Sequence, residues 1–94
     1  MNRQTIEEIL VERGYASAHA RMVSEDLMHL EAPLESVFRQ WLETGETGDY
    51  AFRGYTLRYF TEVWKMQYPA AVLTLDWILK DPERAIQELK NGIR

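Results

Sequence analysis

The chain has 94 residues, 46% hydrophobic and 28% charged, which suits one small globular domain and excludes a disordered segment. It contains no cysteine, so disulfides, thiolate nucleophiles and cysteine-ligated zinc are excluded together. The net charge of −4 is uneven: residues 1–50 carry four basic and ten acidic side chains, residues 51–94 seven and five. The first half repels a phosphate backbone and the second is only mildly basic, which argues against general nucleic-acid binding.

The opening MNRQTIEEIL places acids where the apolar core of a signal peptide would lie. Thr5 and Glu8 form a Thr-x-x-Glu capping box ahead of Ile6, Ile9 and Leu10, predicting a first helix over 6–13 closed by Gly14. Ser17 is positioned to cap a second helix whose face is Ala20, Val23, Leu27 and Leu30, ending near Glu31–Ala32 because Pro33 disfavours helical geometry before it. Pro33 opens a third helix with the full amphipathic spacing of Leu34, Val37, Phe38, Trp41 and Leu42, stopped at Thr44–Gly45.

GETGDYAFRGY (45–55) then reads as a loop. Tyr50 and Phe52 alternate with Ala51 and Arg53, but with no second strand to pair against, a strand is not expected. Thr56 caps a fourth helix, with Leu57, Phe60 and Trp64 on one face and Tyr59, Val63 and Met66 beside them; Gln67–Tyr68 breaks it. Pro69 opens a fifth helix, 69–80, apolar almost all round apart from Thr74, Asp76 and Lys80; Asp76 and Lys80 form an i,i+4 pair on a wet edge. Its apolar run is too short to span a bilayer, so a cytoplasmic protein without membrane contact is expected. Asp81–Pro82–Glu83 starts the sixth helix, to about Asn91, with Gly92 and Ile93 placed for a Schellman closure.

The expected fold is therefore all-α, a compact bundle of about six short helices in a single domain, 1–94. Its sub-parts, 5–44 and 56–92, are joined by the loop 45–55. The first three helices pack on a helix 4–5–6 unit, with Leu34, Phe38 and Trp41 facing the buried central helix 69–80.

Catalytic chemistry finds little support. His19 and His29 lie ten residues apart on one helix, about 15 Å along it, and cannot share an ion. Glu25 or Asp26 with His29 offers two ligands where a stable site needs three or four. The serines at 17, 24 and 36 read as caps or surface, and the glycines of 45–54 lack the Lys-Ser/Thr of a phosphate loop. No cofactor, metal or catalytic residue is expected.

Eight of the eleven aromatics lie between Tyr50 and Trp77, more than a chain this small readily buries. Leu57, Phe60 and Trp64 read as core. Tyr50, Phe52, Tyr55, Tyr59 and Tyr68, with Arg53 and Arg58, read as an interaction surface, because tyrosine is apolar with a polar tip.

Residues 5–44 resemble the ubiquitin-associated (UBA) three-helix fold. The resemblance is carried by Ile6–Glu7–Glu8–Ile9–Leu10 leading into Gly14–Tyr15, then Ala20 and Val23, then Val37–Phe38 and Trp41–Leu42. It implies a compact interaction module. Arg13 stands where that family commonly carries a Met of its ubiquitin-contacting loop, so ubiquitin binding is not implied. The expected function is a non-catalytic protein–protein interaction or adaptor domain, binding a protein partner or a second copy of itself. The alternative is a nucleic-acid-associated regulator using Arg53, Arg58 and Lys65; a small metal-dependent enzyme built on His29 is the third and weakest reading.

Overall fold

A computed structural model describes residues 2–92. The elements run α1 (Arg3–Glu12), α2 (Ser17–Asp26), a 3-10 turn (Leu27–His29), α3 (Ala32–Thr44), β1 (Ala51–Phe52), β2 (Tyr55–Thr56), α4 (Leu57–Glu62), α5 (Tyr68–Lys80) and α6 (Pro82–Lys90). The protein is all-α apart from one two-stranded antiparallel ribbon. By internal contacts the chain divides into Met1–Gly48 and Asp49–Arg94, a division inside the connection expected at 45–55.

In the first unit α1 starts earlier than the Thr5–Glu8 capping box indicates. Asn2 is the N-cap, its Oδ1 accepting the Thr5 N–H at 2.8 Å, which places Thr5 within the first turn. Asn caps as well as Thr, and the added residues let Arg3 approach Glu7 at 3.8 Å. The helix closes as a Schellman motif: the Tyr15 N–H returns to the Leu10 carbonyl at 3.0 Å, the Gly14 N–H to Val11 at 3.0 Å, and Gly14 has φ +101. Ser17 is not a cap but the first helical residue behind Ala16, with no side-chain cap bond. The second helix tightens into the 3-10 turn and stops at His29, because Leu30 must extend (ψ 148) to deliver Glu31 as N-cap of α3.

α1 packs on α2, and the buried side chains are Ile6, Leu10, Ala20, Ser24, Leu27, Leu34, Phe38, Trp41 and Leu42. Ser24, expected as a cap or surface residue, is fully buried, its hydroxyl donating to the Arg21 carbonyl at 3.1 Å. That local bond satisfies the hydroxyl and lets a small residue sit inside the helix contact. Arg13 holds the far end: its guanidinium donates to the carbonyls of Trp41 at 2.7 Å and Leu42 at 2.9 Å, and lies 4.5 Å over the Trp41 ring. A cation on the last-turn carbonyls of α3 is where helix electrostatics favours one.

In the second unit α5 contacts α4, α6 and β1. Pro69, Ala71, Val72, Leu75 and Ile78 are buried along it, as the apolar run predicts. Asp76 corrects the expectation of a wet edge. It is only 4% exposed, with its carboxylate taken up by Lys80, whose ammonium reaches solvent. The ribbon is a second correction. Phe52 pairs with Tyr55 and Ala51 with Thr56 around Arg53–Gly54, whose φ values of +53 and +86 are those of a type I′ turn. The missing second strand was the two residues immediately ahead of α4, hidden because the same Thr56 also reads as a helix cap.

α4 is a third correction. Thr56 caps it as expected, its Oγ1 accepting the Tyr59 N–H at 2.9 Å, but the helix ends at Glu62. Lys65 turns left-handed at φ +60, and the Met66 N–H returns to the Phe60 carbonyl at 3.0 Å. Trp64 therefore lies in the turn after the helix, not on its inner face. Asp81 holds the N-cap position of α6 but makes no side-chain cap bond, since it also closes α5. Gly92 is left-handed (φ +82), and the Schellman contact expected of Ile93 lies outside the described residues.

Candidate interaction surface

The second unit's aromatics form one connected group of rings. Phe60, fully buried at the centre, stacks against Tyr55 (5.8 Å between centroids, 8° between planes) and meets Trp64 edge-on (5.6 Å, 85°). Tyr59 lies across this group, 6.3 Å from Tyr55, 5.5 Å from Phe60 and 6.2 Å from Trp64. Such offset and edge-on arrangements are the favoured ones for ring quadrupoles. Tyr55 and Trp64 are half-buried, while Tyr59 is 39% exposed and its neighbour Val63 62% exposed.

Local hydrogen bonding explains why these rings stay at the surface. Asp49 Oδ1 accepts the N–H groups of Tyr50 at 2.7 Å and Arg58 at 3.2 Å, tying the segment before the ribbon to the first turn of α4. Together with the Thr56 cap this satisfies two of the N–H groups that a helix start leaves open, and puts an acid at the positive end of the helix. The ribbon and the short α4 then present Tyr55 and Tyr59 side by side over Phe60. Lys65, breaking the helix, swings Trp64 back against the same rings.

Of the seven residues expected at this surface, Tyr55 and Tyr59 are in direct ring contact. Phe52 and Arg53 are adjacent, with the Arg53 guanidinium 5.5 Å over the Phe52 ring, and Phe52 is the register partner of Tyr55. Tyr50 is half-buried. Arg58 is exposed but committed to Glu62 at 3.0 Å, and that hydrogen bond together with the Glu62 charge raises its pKa above the usual arginine value. Tyr68 does not belong to the surface. It is 6% exposed, and burial, with the charge of Asp49 adding to it, pushes its hydroxyl up to about 12. As the first residue of α5 it is drawn inward by the helix that α4, α6 and β1 all contact.

Two contributors were not among the expected surface residues, Val63 and Trp64, both assigned to helical faces on the assumption that α4 runs on to 67. No residue between Tyr59 and Gln67 announces the early stop, because the left-handed position is taken by a lysine rather than a glycine. Arg53 and Lys65 are the two non-glycine residues with positive φ among those described. Each such position costs an L-residue about 1–2 kcal/mol.

Elsewhere, His29 Nε2 lies 3.9 Å from Glu25 with both side chains exposed, and His19 stacks on Tyr15 at 6.0 Å. Among the described residues no three His, Cys, Asp or Glu side chains gather where they could hold an ion, and no helix is long and apolar enough to cross a membrane. A shallow groove of about 650 Å³ on the first unit is lined by Arg3, Gln4, Glu7, Glu8, Val11 and Arg21; Arg3 and Arg21 both pair with Glu7 there. Compared with protein-family models, curated proteins and solved structures, the chain shows no match.

Proposed function

We propose that the protein is a non-catalytic protein–protein interaction domain whose contact surface is the aromatic margin of the second unit. The observation that carries this is the exposure of Tyr59, in contact with Tyr55, Phe60 and Trp64, and of Val63 one helical turn on. Isolated exposed apolar residues need no explanation, but a contiguous patch with Tyr and Trp at its centre has the make-up of a binding hot spot. The test is differential capture. Immobilised wild-type protein and the Tyr59→Ser/Val63→Ser variant are exposed to the same lysate, and light scattering follows self-association of each. A bound protein, or a second copy, retained by the wild type and lost by the variant supports the reading. Identical retention by both defeats it.

Residues 5–44 enter this proposal as a UBA-like module. In support, α1, α2 and α3 follow in the order that resemblance implies, and Gly14–Tyr15 closes α1 at the corresponding place. Arg13 is engaged with the carbonyls of α3, so ubiquitin is not the partner we name. The nucleic-acid alternative is weaker because Arg58, one of its three cations, is held by Glu62.

A further inference from the structure

Along the chain Arg53 precedes the ring cluster and Lys65 follows it. Arg53 forms the tip of the ribbon beside Phe52, and Lys65 follows directly on Trp64. Between them runs the ladder Tyr55–Tyr59–Trp64, with steps of 6.3 and 6.2 Å. Both cations are exposed, and among the described residues neither enters an ion pair, whereas Arg58 in the same stretch is paired with Glu62. Both also occupy left-handed backbone positions, φ +53 and +60, where Gly or Asn is the unstrained choice. At two separate turns, then, a long cationic side chain stands where the backbone alone would favour a small residue. Backbone strain of this kind clusters at ligand-contacting and switch sites, which makes the two positions candidates for function.

We propose that the aromatic surface binds an acidic peptide segment carrying apolar side chains, with Arg53 and Lys65 receiving its carboxylates at the two ends of the ring ladder. This rests on the interaction-surface reading above and names the chemistry of its partner. Two free cations at the ends of an apolar patch complement a short anionic segment. They are too few to neutralise a nucleic-acid backbone, which needs a continuous cationic track. The pattern of apolar centre and charged rim is that of peptide and protein interfaces, where rim charge selects and steers the partner.

The experiment is to pan a random-peptide display library on the full chain, with the Tyr59→Ser/Val63→Ser variant as the subtractive control. The affinity of enriched peptides is then measured on wild type and on Arg53→Asn/Lys65→Asn. Asn tolerates the left-handed region, so this second variant keeps its fold, and a thermal melt no lower than that of the wild type verifies it. The expected result is patch-dependent enrichment of net-acidic peptides containing Leu, Ile or aromatic residues. Their binding weakens with added salt and falls roughly three- to tenfold in the cation variant. Patch-dependent peptides without acidic bias, or binding unchanged in the cation variant, overturn the acidic partner while leaving the interaction surface standing. No patch-dependent enrichment overturns both. A single-stranded oligothymidine that binds the wild type and loses affinity in the cation variant overturns the peptide assignment in favour of nucleic acid.

Discussion

The two units pair most of their charges alike and differ in a few cations. In the first, an exposed arginine turns back onto its own unit: Arg13 is spent on the carbonyls and ring of α3. Arg3 and Arg21 lie close to Glu7, and the aromatic pair Phe38–Trp41 is buried. In the second, Arg53 and Lys65 point outward without ion pairs among the described residues, and the ring cluster runs from a buried centre, Phe60, to an exposed edge, Tyr59. The first unit turns Arg13 onto its own backbone, although Val11, Met22 and Met28 stay exposed on it; the second pairs Arg58, Lys80 and Arg84 but leaves Arg53 and Lys65 without an ion pair among the described residues.

The largest expected effect separates the centre of that cluster from its edge. Phe60→Ala empties a fully buried site on which Tyr55, Tyr59 and Trp64 all rest, and is expected to cost about 3–5 kcal/mol. Tyr59→Ala removes an exposed ring and is expected to cost under about 1 kcal/mol. Denaturant unfolding of the two variants measures the gap; equal losses would mean that Tyr59 is core and the surface is misassigned.

Next in size is the clamp of the first unit. Arg13→Met removes two charge-assisted hydrogen bonds and a cation–ring contact, and a loss of about 1.5–3 kcal/mol is expected. Arg13→Lys is expected to recover little of it, because an ammonium cannot fork to two carbonyls as a guanidinium does. If Arg13→Met were neutral in chemical denaturation, the contrast between an inward-turned Arg13 and an Arg53 and Lys65 unpaired among the described residues would lose its main support.

Much of this contrast is not legible in the sequence, and the reasons are specific. Helix count, the buried run of α5 and the core positions of α3 follow from apolar periodicity, which burial enforces directly. At α1 Asn2 and Thr5 are comparable caps, so the sequence does not choose between them; at α2 the start at Ala16 runs against the intrinsic preference for Ser17 and carries no sequence signal. The ribbon is not legible because a two-residue strand carries no periodicity; its one signal is Arg53–Gly54 between Phe52 and Tyr55, in which only one residue of the turn is a glycine. The fate of Tyr68 depended on where α5 begins, a single residue before Pro69. The role of Arg13 had no sequence signal, since its partners are backbone carbonyls 28 and 29 residues away.

Alkaline pH offers a smaller effect confined to the second unit's interior. The Tyr68 hydroxyl is raised to about 12 in the folded chain, from an ordinary value of 10.0. Between those values the unfolded chain gives up the proton while the folded chain keeps it, so stability is complete below pH 10 and falls as pH rises towards 12. The gap sets a ceiling of about 2.7 kcal/mol, and solvent near the hydroxyl brings the expected loss to about 1–2 kcal/mol. Tyr15, raised by burial against the opposing charge of Arg13, adds a loss of the same sign in the first unit. Tyr68→Phe is expected to remove most of the second unit's share, read as a flatter dependence of urea midpoint on pH above 10. Asp49→Asn is expected to lower the Tyr68 pKa only slightly, because burial outweighs the charge.

The smallest effect bears most directly on why the second unit is open. If Arg53 and Lys65 are kept for a partner, replacing them with residues suited to their backbone geometry should make the isolated protein more stable. Arg53→Asn relaxes the first central position of the type I′ turn, and Lys65→Gly relaxes the turn after α4. For Lys65 the relief of about 1–2 kcal/mol is partly offset by the greater freedom glycine gives the unfolded chain, about 0.5–1 kcal/mol. The net gain expected is therefore about 0.5–1 kcal/mol, a rise of roughly 2–8 °C in melting temperature for a domain of this size. Arg53→Asn also forfeits the contact of the guanidinium with Phe52, so its gain is expected to be the lesser of the two. A lower melting temperature for both variants would mean that the two side chains hold the fold together, and the second unit would then resemble the first in turning its cations inward. A higher one means that the two side chains do not serve the stability of the isolated chain, which a role in binding requires.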